Sequence, residues 1–389
     1  MTTPSPPRRS GAALAIVYAT VFLDLLGFGI ILPALPYYAD QLGAGGFALG
    51  LLFASYSLAQ ILGAAVLGRV SDSRGRRPIL LLSLCGSVLS MVLSGLATSL
   101  AVLMVARALA GLFGGSISTA KAYIADITAP EERARYMGLL GASIGSGFVL
   151  GPGLGAGLIA LGYGFKGAAF VAAGLAAVNL AFALFKLPEP AVRRDTAGGF
   201  NPGAWLSTLR RPNLGPTLAA TFLTTFAFVG METTFAYLGK ARFNLDELHF
   251  GLVLLYAGVI GIIVQGSLIG RLTHRFGVRP IAATGGVLMG LALLLVPACT
   301  SLPAALGAMA LLAVGQGFNT PSLSTMVSNY TPAEEQGSTL GVSQSLAAAA
   351  RAVGPLVAGA LYDLGIAFPY LLGGILALIA GVLVARIRE

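Results

Sequence analysis

Four ionisable residues lie inside long apolar runs of the sequence, where a charge is costly: Asp24, Arg107, Lys121 and Glu232. On insertion scales, a charged residue at the centre of a membrane helix costs roughly 2.5 to 3.5 kcal/mol. Such residues are typical of sites that bind protons, ions or substrates. These four are therefore the first candidates for chemistry.

Asp24 lies about halfway along the first apolar run. A carboxylate at that depth can take up and release a proton as its access to water changes. Arg107 stays charged at ordinary pH and could respond to the protonation state of Asp24. We predict that Asp24 and Arg107 couple transport to protons; a permanent ion pair of Asp24 with a basic residue is the alternative.

Arg107 shares one predicted helical face with Lys121, because the intervening Gly111, Gly114 and Ser118 follow at steps of three or four residues. We expect this face to line a cavity, with Lys121 in contact with substrate. Lys121 also lies near the end of its run, so a side chain that snorkels to the membrane surface is an equal alternative.

Glu232 stands in an aromatic-rich segment, FVGMETTFAY (228–237), and could supply a countercharge to an apolar or cationic ligand. Other aromatic and polar residues within the apolar runs complete the predicted substrate site, although they are equally suited to helix packing and interhelical hydrogen bonds. They are Tyr56, Gln60, Tyr123, Phe228, Phe235, Tyr256, Asn319, Gln344 and Arg351.

The composition places these residues in a membrane. Of the 389 residues, 56% are hydrophobic and 10% are charged, and the mean hydropathy is +0.85. The apolar residues form repeated runs of about 20, which as helices would cross a bilayer whose interior offers no hydrogen bonds. We predict an all-α membrane protein with twelve spans near 12–37, 47–69, 78–98, 101–125, 136–160, 165–186, 215–239, 248–271, 280–300, 303–328, 338–362 and 366–386.

The basic residues predict the orientation. With both termini in the cytoplasm, most of the 24 Lys and Arg residues fall in cytoplasmic segments, and the outer loops hold only Lys166, Lys240 and Arg242. This asymmetry explains the net charge of +9 without nucleic acid as a partner. We expect a multi-pass protein of the inner (plasma) membrane.

The two halves of the chain resemble each other. GRVSDSRGRRP (68–78) recurs as GRLTHRFGVRP (270–280), roughly 200 residues later, and Glu131-Glu132 and Gly151-Pro152 recur at nearly the same spacing as Glu334-Glu335 and Gly354-Pro355. We predict two parallel six-helix repeats, 1–187 and 214–389, joined by a cytoplasmic linker at 188–213. Such repeats form transporters with a site at mid-depth.

Two motifs suggest moving parts. The segment 68–78 mixes acidic, basic and glycine residues, which predicts a conformational latch made of Gly68, Asp72, Arg74, Gly75, Arg76, Arg77 and, from a later segment, Asp126. We expect Gly68 and Gly75 to allow close helix approach and a tight turn, Asp72 to pair with arginines and cap a helix, and Pro78 to begin span 3. A purely topological basic loop is the alternative.

In span 5, Gly147, Gly151 and Gly155 share a face beside Pro152, which predicts close packing and a bend.

These segments resemble the major facilitator superfamily, and within it the twelve-helix drug:H+ antiporters, especially the tetracycline-efflux proteins. GRVSDSRGRRP (68–78), RALAGLFGGS (107–116), the glycine pattern of 147–155 and LDLLGFGIILPALP (23–36) resemble its signatures. The resemblance implies the major facilitator fold. The chain departs from tetracycline exporters at Ser90 and in span 9, which has no acidic residue, so we do not expect tetracycline itself to be the substrate.

We therefore expect a proton-coupled exporter of hydrophobic small molecules that works by alternating access. The alternative is a carrier of metabolites, organic anions or lipid-like substrates with the same fold, including a symporter. We expect no enzymatic activity, no cofactor and no metal site, since both histidines lie at loop ends and far apart in sequence. The expected partners are a small-molecule substrate, protons and membrane lipid, and the expected state is a monomer.

Overall fold

The computed structural model describes residues 10–114, 116–128, 130–189, 208–332 and 335–387. Within these ranges the chain is helical, and twelve helices are long and apolar enough to cross a membrane. The prediction of twelve spans is confirmed. Most of the predicted linker, with Trp205, lies outside the described residues, as does Glu334.

The first six spans comprise seven helices: Ser10–Ile31, Gly46–Arg74, Arg76–Leu96, the consecutive pair Leu100–Phe113 and Ser116–Ile127, Pro130–Ala160 and Gly164–Lys186. The last six are Leu214–Phe243, Glu247–Phe276, Val278–Leu295, Leu302–Asn329, Gln336–Leu364 and Phe368–Ala385. Span 8 contains a π-helical turn at Val264–Leu268.

Span 1 is shorter than predicted. Its helix ends at Ile31, and a separate short helix, Leu35–Gln41, follows. Pro33 explains the interruption, because proline lacks a backbone N–H and disfavours helical geometry in the residue before it.

The internal repeat is visible in the backbone. Gly75 precedes the span 3 helix with φ 102° and ψ 160°, and Gly277 precedes the span 9 helix with φ 87° and ψ 161°. Residues other than glycine rarely adopt such a positive φ. The two matching loops therefore turn in the same way, as the sequence repeat predicts.

The chain forms two compact units, residues 1–38 with 55–198 and residues 39–54 with 199–389. Within the first unit, span 1 packs mainly against spans 5 and 6, and span 3 against spans 4 and 6. Within the second, span 9 packs against spans 10 and 12, and span 7 against spans 11 and 12. Residues 39–54, which include the first turns of span 2, group with the second unit, a division that the sequence repeat did not indicate.

The core of the first unit includes Leu14, Val17, Leu84, Tyr123 and Ile124. Large apolar side chains elsewhere are left outside, with Phe185 85% exposed and Leu62 64% exposed. In water such a surface would promote aggregation, whereas in a bilayer it contacts acyl chains.

Candidate functional site

Asp24, in the middle of span 1, is held by two serine hydroxyls. Ser87 Oγ donates to Asp24 Oδ1 at 2.8 Å, and Ser116 Oγ donates to Oδ2 at 2.6 Å. Ser87 comes from span 3 and Ser116 begins the second helix of span 4. A hydroxyl can donate to a carboxylate or accept from a protonated carboxyl. The site can therefore hold Asp24 in either protonation state.

Arg107 lies in the first helix of span 4 and is 1% exposed. Its Cζ atom is 4.9 Å from the ring centroid of Phe28 and 4.6 Å from that of Tyr56. Gly111, one turn later, permits this proximity, because a Cβ there would lie 2.0 Å from the carbonyl oxygen of Tyr56. Arg107 Nε and Nη1 are buried and find no hydrogen-bond acceptor in the described part of the chain.

Asp24 and Arg107 belong to the same unit but are not paired. Neither side chain is in any of the ion pairs among the described residues. A permanent Asp24 ion pair, the alternative weighed from the sequence, is absent from this conformation.

The predicted latch is built around Arg76. Arg76 Nη1 lies 2.5 Å from Asp72 Oδ1, and Arg76 Nε lies 2.9 Å from Asp126 Oδ2. Asp126 is the more buried partner, with a side chain 3% exposed against 33% for Asp72. The latch residues thus join the end of span 2, the start of span 3 and the end of span 4.

Three details of the latch differ from the prediction. The helix cap is Glu189, not Asp72: its carboxylate accepts from the backbone N–H groups of Arg76 at 2.7 Å and Arg77 at 3.0 Å. The span 3 helix begins at Arg76 instead of Pro78, because Glu189 caps the N–H groups of these earlier residues. Gly68 does not mediate close approach, since a Cβ there would meet no described atom within 4 Å.

The remaining arginines of the segment contribute less to the latch. Arg77 Nη2 donates to the carbonyl oxygen of Leu184 at 2.7 Å. Arg74 ends the span 2 helix and its side chain is exposed.

The glycine motif of span 5 packs against span 1. A Cβ at Gly147 would lie 2.8 Å from the Leu25 Cβ, one at Gly151 2.6 Å from the Gly29 Cα, and one at Gly155 2.2 Å from the Ile30 carbonyl oxygen. Pro152 lies inside this helix. In span 11 the contact at Gly354 is looser, 3.3 Å from the Phe226 carbonyl oxygen. The three glycines of span 5 thus pack closely against span 1, as their spacing predicts.

The predicted substrate residues are dispersed. In the first unit, Lys121 is exposed, Tyr123 is buried and donates to the Pro188 carbonyl oxygen at 2.7 Å, and Gln60 Nε2 donates to Tyr56 Oη at 3.2 Å. The structure therefore places Gln60 beside the Arg107 cluster and gives Tyr123 a partner in the chain.

In the second unit, the charge of Arg351 on span 11 acts on Glu232 of span 7, but the two form none of the ion pairs among the described residues. Phe235 is buried against Phe250, with ring centroids 6.3 Å apart, and Asn319 is buried and donates to the Ala282 carbonyl oxygen. Phe228 is half-buried, and Tyr256 and Gln344 are exposed.

Both halves of the chain match the sequence model of one known family. The sequence model described as Major Facilitator Superfamily matches residues 17–269 and 266–389. The chain belongs to the major facilitator superfamily. The resemblance seen in the signatures is confirmed, and this superfamily member is a multi-pass membrane transporter.

Relatives of this major facilitator include drug-resistance proteins. Tetracycline resistance protein, class C, of Escherichia coli is 33% identical over 370 residues, which cover 91% of this chain and 90% of the relative. Multidrug resistance protein 2 of Bacillus subtilis (strain 168) is 26% identical over 375 residues, covering 94% and 92%. The crystal structure of the human organic anion transporter MFSD10 (TETRAN) is 28% identical, with a TM-score of 0.72 and coverage of 98% of this chain and 100% of that one.

Two sets of interacting residues in this major facilitator were not predicted from the sequence: the serines that bind Asp24, and Glu189. Ser87 and Ser116 carry no charge, so neither was singled out from other small residues of membrane helices, although Ser116 ends the segment RALAGLFGGS (107–116). Glu189 follows the last helix of the first half, and an acidic residue after a span was the available signal. Among the described residues no group of three or more His, Cys, Asp or Glu side chains could hold a metal ion.

Proposed function

We propose that this major facilitator exports hydrophobic small molecules across the inner (plasma) membrane in exchange for protons, by alternating access. Both termini are cytoplasmic in this proposal, and the protein acts as a monomer. The observation that carries the proposal is the pair of hydroxyls on Asp24, from Ser87 and Ser116.

An acidic residue that carries protons must be stable both charged and neutral. An arginine partner would favour only the charged carboxylate, because guanidinium has donors and no acceptor. Two serines serve both states, since each can donate or accept. Asp24 is also only partly buried in this conformation.

Arg107 complements this role. A carboxylate that gains and loses charge in a low-dielectric region changes the energy of any cation in the same bundle. Buried, unpaired Arg107 would respond to each change at Asp24 without itself releasing a proton. The drug-resistance relatives and the tightly packed glycines of span 5 support export.

The alternative is a carrier of metabolites, organic anions or lipid-like molecules, including a symporter. The observation that favours it is the relationship to the human organic anion transporter MFSD10. Export and uptake differ in the direction of proton movement relative to substrate, which decides between them.

The test uses purified protein in liposomes loaded with a pH-sensitive dye, with ethidium and tetracycline as cargo probes. We expect ethidium to move against an imposed proton gradient, with protons moving the opposite way. Asp24→Asn should abolish gradient-driven movement, while the control Asp246→Asn, which neutralises an exposed carboxylate, should retain it. Transport of equal rate with the gradient present, collapsed or reversed would refute proton coupling, and co-directional movement would establish the symporter.

A further inference from the structure

Among the described residues, no acidic side chain forms an ion pair with Arg107. Its Nε and Nη1 atoms are buried without an acceptor in the described ranges, and the side chain is 1% exposed. Buried charged donors without partners are strongly unfavourable, so a folded protein retains them where a partner arrives from outside or from another conformation.

The surroundings of Arg107 are aromatic. The guanidinium carbon and the rings of Phe28 and Tyr56 form a nearly equilateral triangle, because the two ring centroids are 5.0 Å apart and each lies under 5 Å from Cζ. Both rings are partly exposed, whereas Arg107 is not. The guanidinium is therefore more buried than the two rings that it contacts.

Asp24 does not provide the missing countercharge for Arg107 in this conformation. Both of its carboxylate oxygens accept hydrogen bonds from serine hydroxyls, and no ion pair in the described part of the chain includes Arg107. In this conformation, a negative charge that pairs with the guanidinium would come from outside the described residues.

We propose that Arg107 binds the carboxylate of an amphipathic organic anion, and that Phe28 and Tyr56 contact the apolar body of this cargo. This assignment rests on the proposed transport function, since it names the substrate class of the same protein. It goes further than a hydrophobic cargo, because it adds a class of cargo that carries one negative group on an aromatic or aliphatic body.

The chemistry matches this class of ligand. Guanidinium offers parallel N–H donors that suit a planar carboxylate, and such charge-assisted bonds are about twice as strong as neutral ones. Rotation of the Phe28 or Tyr56 ring would open the edge of the guanidinium, and the displaced ring would then pack on the cargo. A simple inorganic anion would gain the charge but not the aromatic contact.

The test measures binding to the purified full-length protein in detergent, at one pH and without a gradient. The probes are naphthaleneacetate, the neutral naphthaleneacetamide of nearly the same shape, and acetate, which has the charge without the apolar body. We expect naphthaleneacetate to bind about tenfold tighter than the amide, a difference of about 1.4 kcal/mol, and to raise the melting temperature. Acetate should bind weakly.

Three variants connect this preference to one side chain. Arg107→Gln should bring the ratio of the two affinities close to one, and Arg107→Lys should leave an intermediate ratio because it keeps the charge without the planar fork. Arg133→Gln is the matched control, since it removes one positive charge from the same unit at the start of span 5. Arg107→Gln is expected to fold, because it removes donors that have no acceptor.

The proposal is overturned if wild-type protein binds the acid and the amide equally, if naphthaleneacetate gives no stabilisation, if acetate binds as tightly as naphthaleneacetate, or if Arg107→Gln keeps the preference. These outcomes are independent of proton coupling, because no gradient is present. Failure of the gradient experiment with ethidium and tetracycline would conversely leave the binding result intact.

Discussion

The carboxylate of Asp363 caps the helix that begins at Gly46. Asp363 Oδ1 accepts from the Gly46 N–H at 2.7 Å, and Oδ2 accepts from the Phe47 N–H at 2.8 Å. The first N–H groups of a helix have no partner within it and form the positive end of its dipole. Span 11 thus stabilises the start of span 2 within the second compact unit, although Gly46 and Asp363 are 317 residues apart.

Removal of this cap should lower stability. Asp363→Ala leaves two N–H groups without their acceptor and is expected to cost about 1 to 2 kcal/mol. Asp363→Asn keeps one acceptor oxygen and should cost about half as much. Thermal unfolding in detergent measures both, and an Ala variant that melts with the wild type would show that water replaces the cap.

The glycines of span 5 should differ sharply in their tolerance of a methyl group. Gly155→Ala would place a Cβ 2.2 Å from the Ile30 carbonyl oxygen, and such overpacking typically costs about 1 to 3 kcal/mol. Gly157→Ala, in the same helix, meets no described atom within 4 Å and should gain up to about 1 kcal/mol from helix propensity. Equal melting temperatures for the two variants would argue against a packed span 1–span 5 contact.

The latch should depend more on Asp126 than on Asp72. Asp126→Asn removes the buried partner of Arg76 and should cost roughly 3 kcal/mol, whereas the more exposed Asp72 pair is worth about 1 kcal/mol or less. Adding Arg76→Gln to Asp126→Asn should recover part of the loss, because it removes the buried guanidinium that has lost one of its two carboxylate partners. Melting of all the variants tests the order, and distance measurements between spin labels test whether the weakened latch also shifts the access states. A larger loss for Asp72→Asn would reverse this assignment.

The spans and the repeat could be predicted because they depend on local chemistry. A bilayer requires an apolar helix of about 20 residues, and such a helix can be recognised from one continuous stretch of the sequence. The positive-φ glycines, Gly75 and Gly277, belong to the same kind of short-range signal. Likewise, the spacing of Gly147, Gly151 and Gly155 indicated a shared face without knowledge of its partner.

The partners of the site residues were not predictable in this way. Asp24 was conspicuous as a charge in an apolar run, but its serine partners lie 63 and 92 residues away in the sequence. Glu189 caps Arg76 across 113 residues. Such contacts depend on how the helices pack, and a serine or a glutamate at a span end has many alternative roles. The sequence therefore indicated which residues carry charge, but not which groups stabilise that charge.

The last test concerns Glu232, because the nearby charge of Arg351 gives its carboxylate a structural partner as well as a possible role in cargo binding. A free carboxylate would attract a cationic cargo, but Glu232 interacts with Arg351 on the facing helix of the same unit. Glu232→Gln should therefore remove the negative charge that acts on Arg351, lower the melting temperature and weaken ethidium binding. Arg351→Gln in the same chain should restore much of the stability, with a coupling of about 0.5 to 3 kcal/mol, but not the ethidium binding if Glu232 also contacts cargo. Ethidium binding and melting temperature, measured for the two single variants and the double variant, separate these effects. Additive losses of stability would contradict the interaction between Glu232 and Arg351. Full recovery of ethidium binding in the double variant would restrict Glu232 to a structural role.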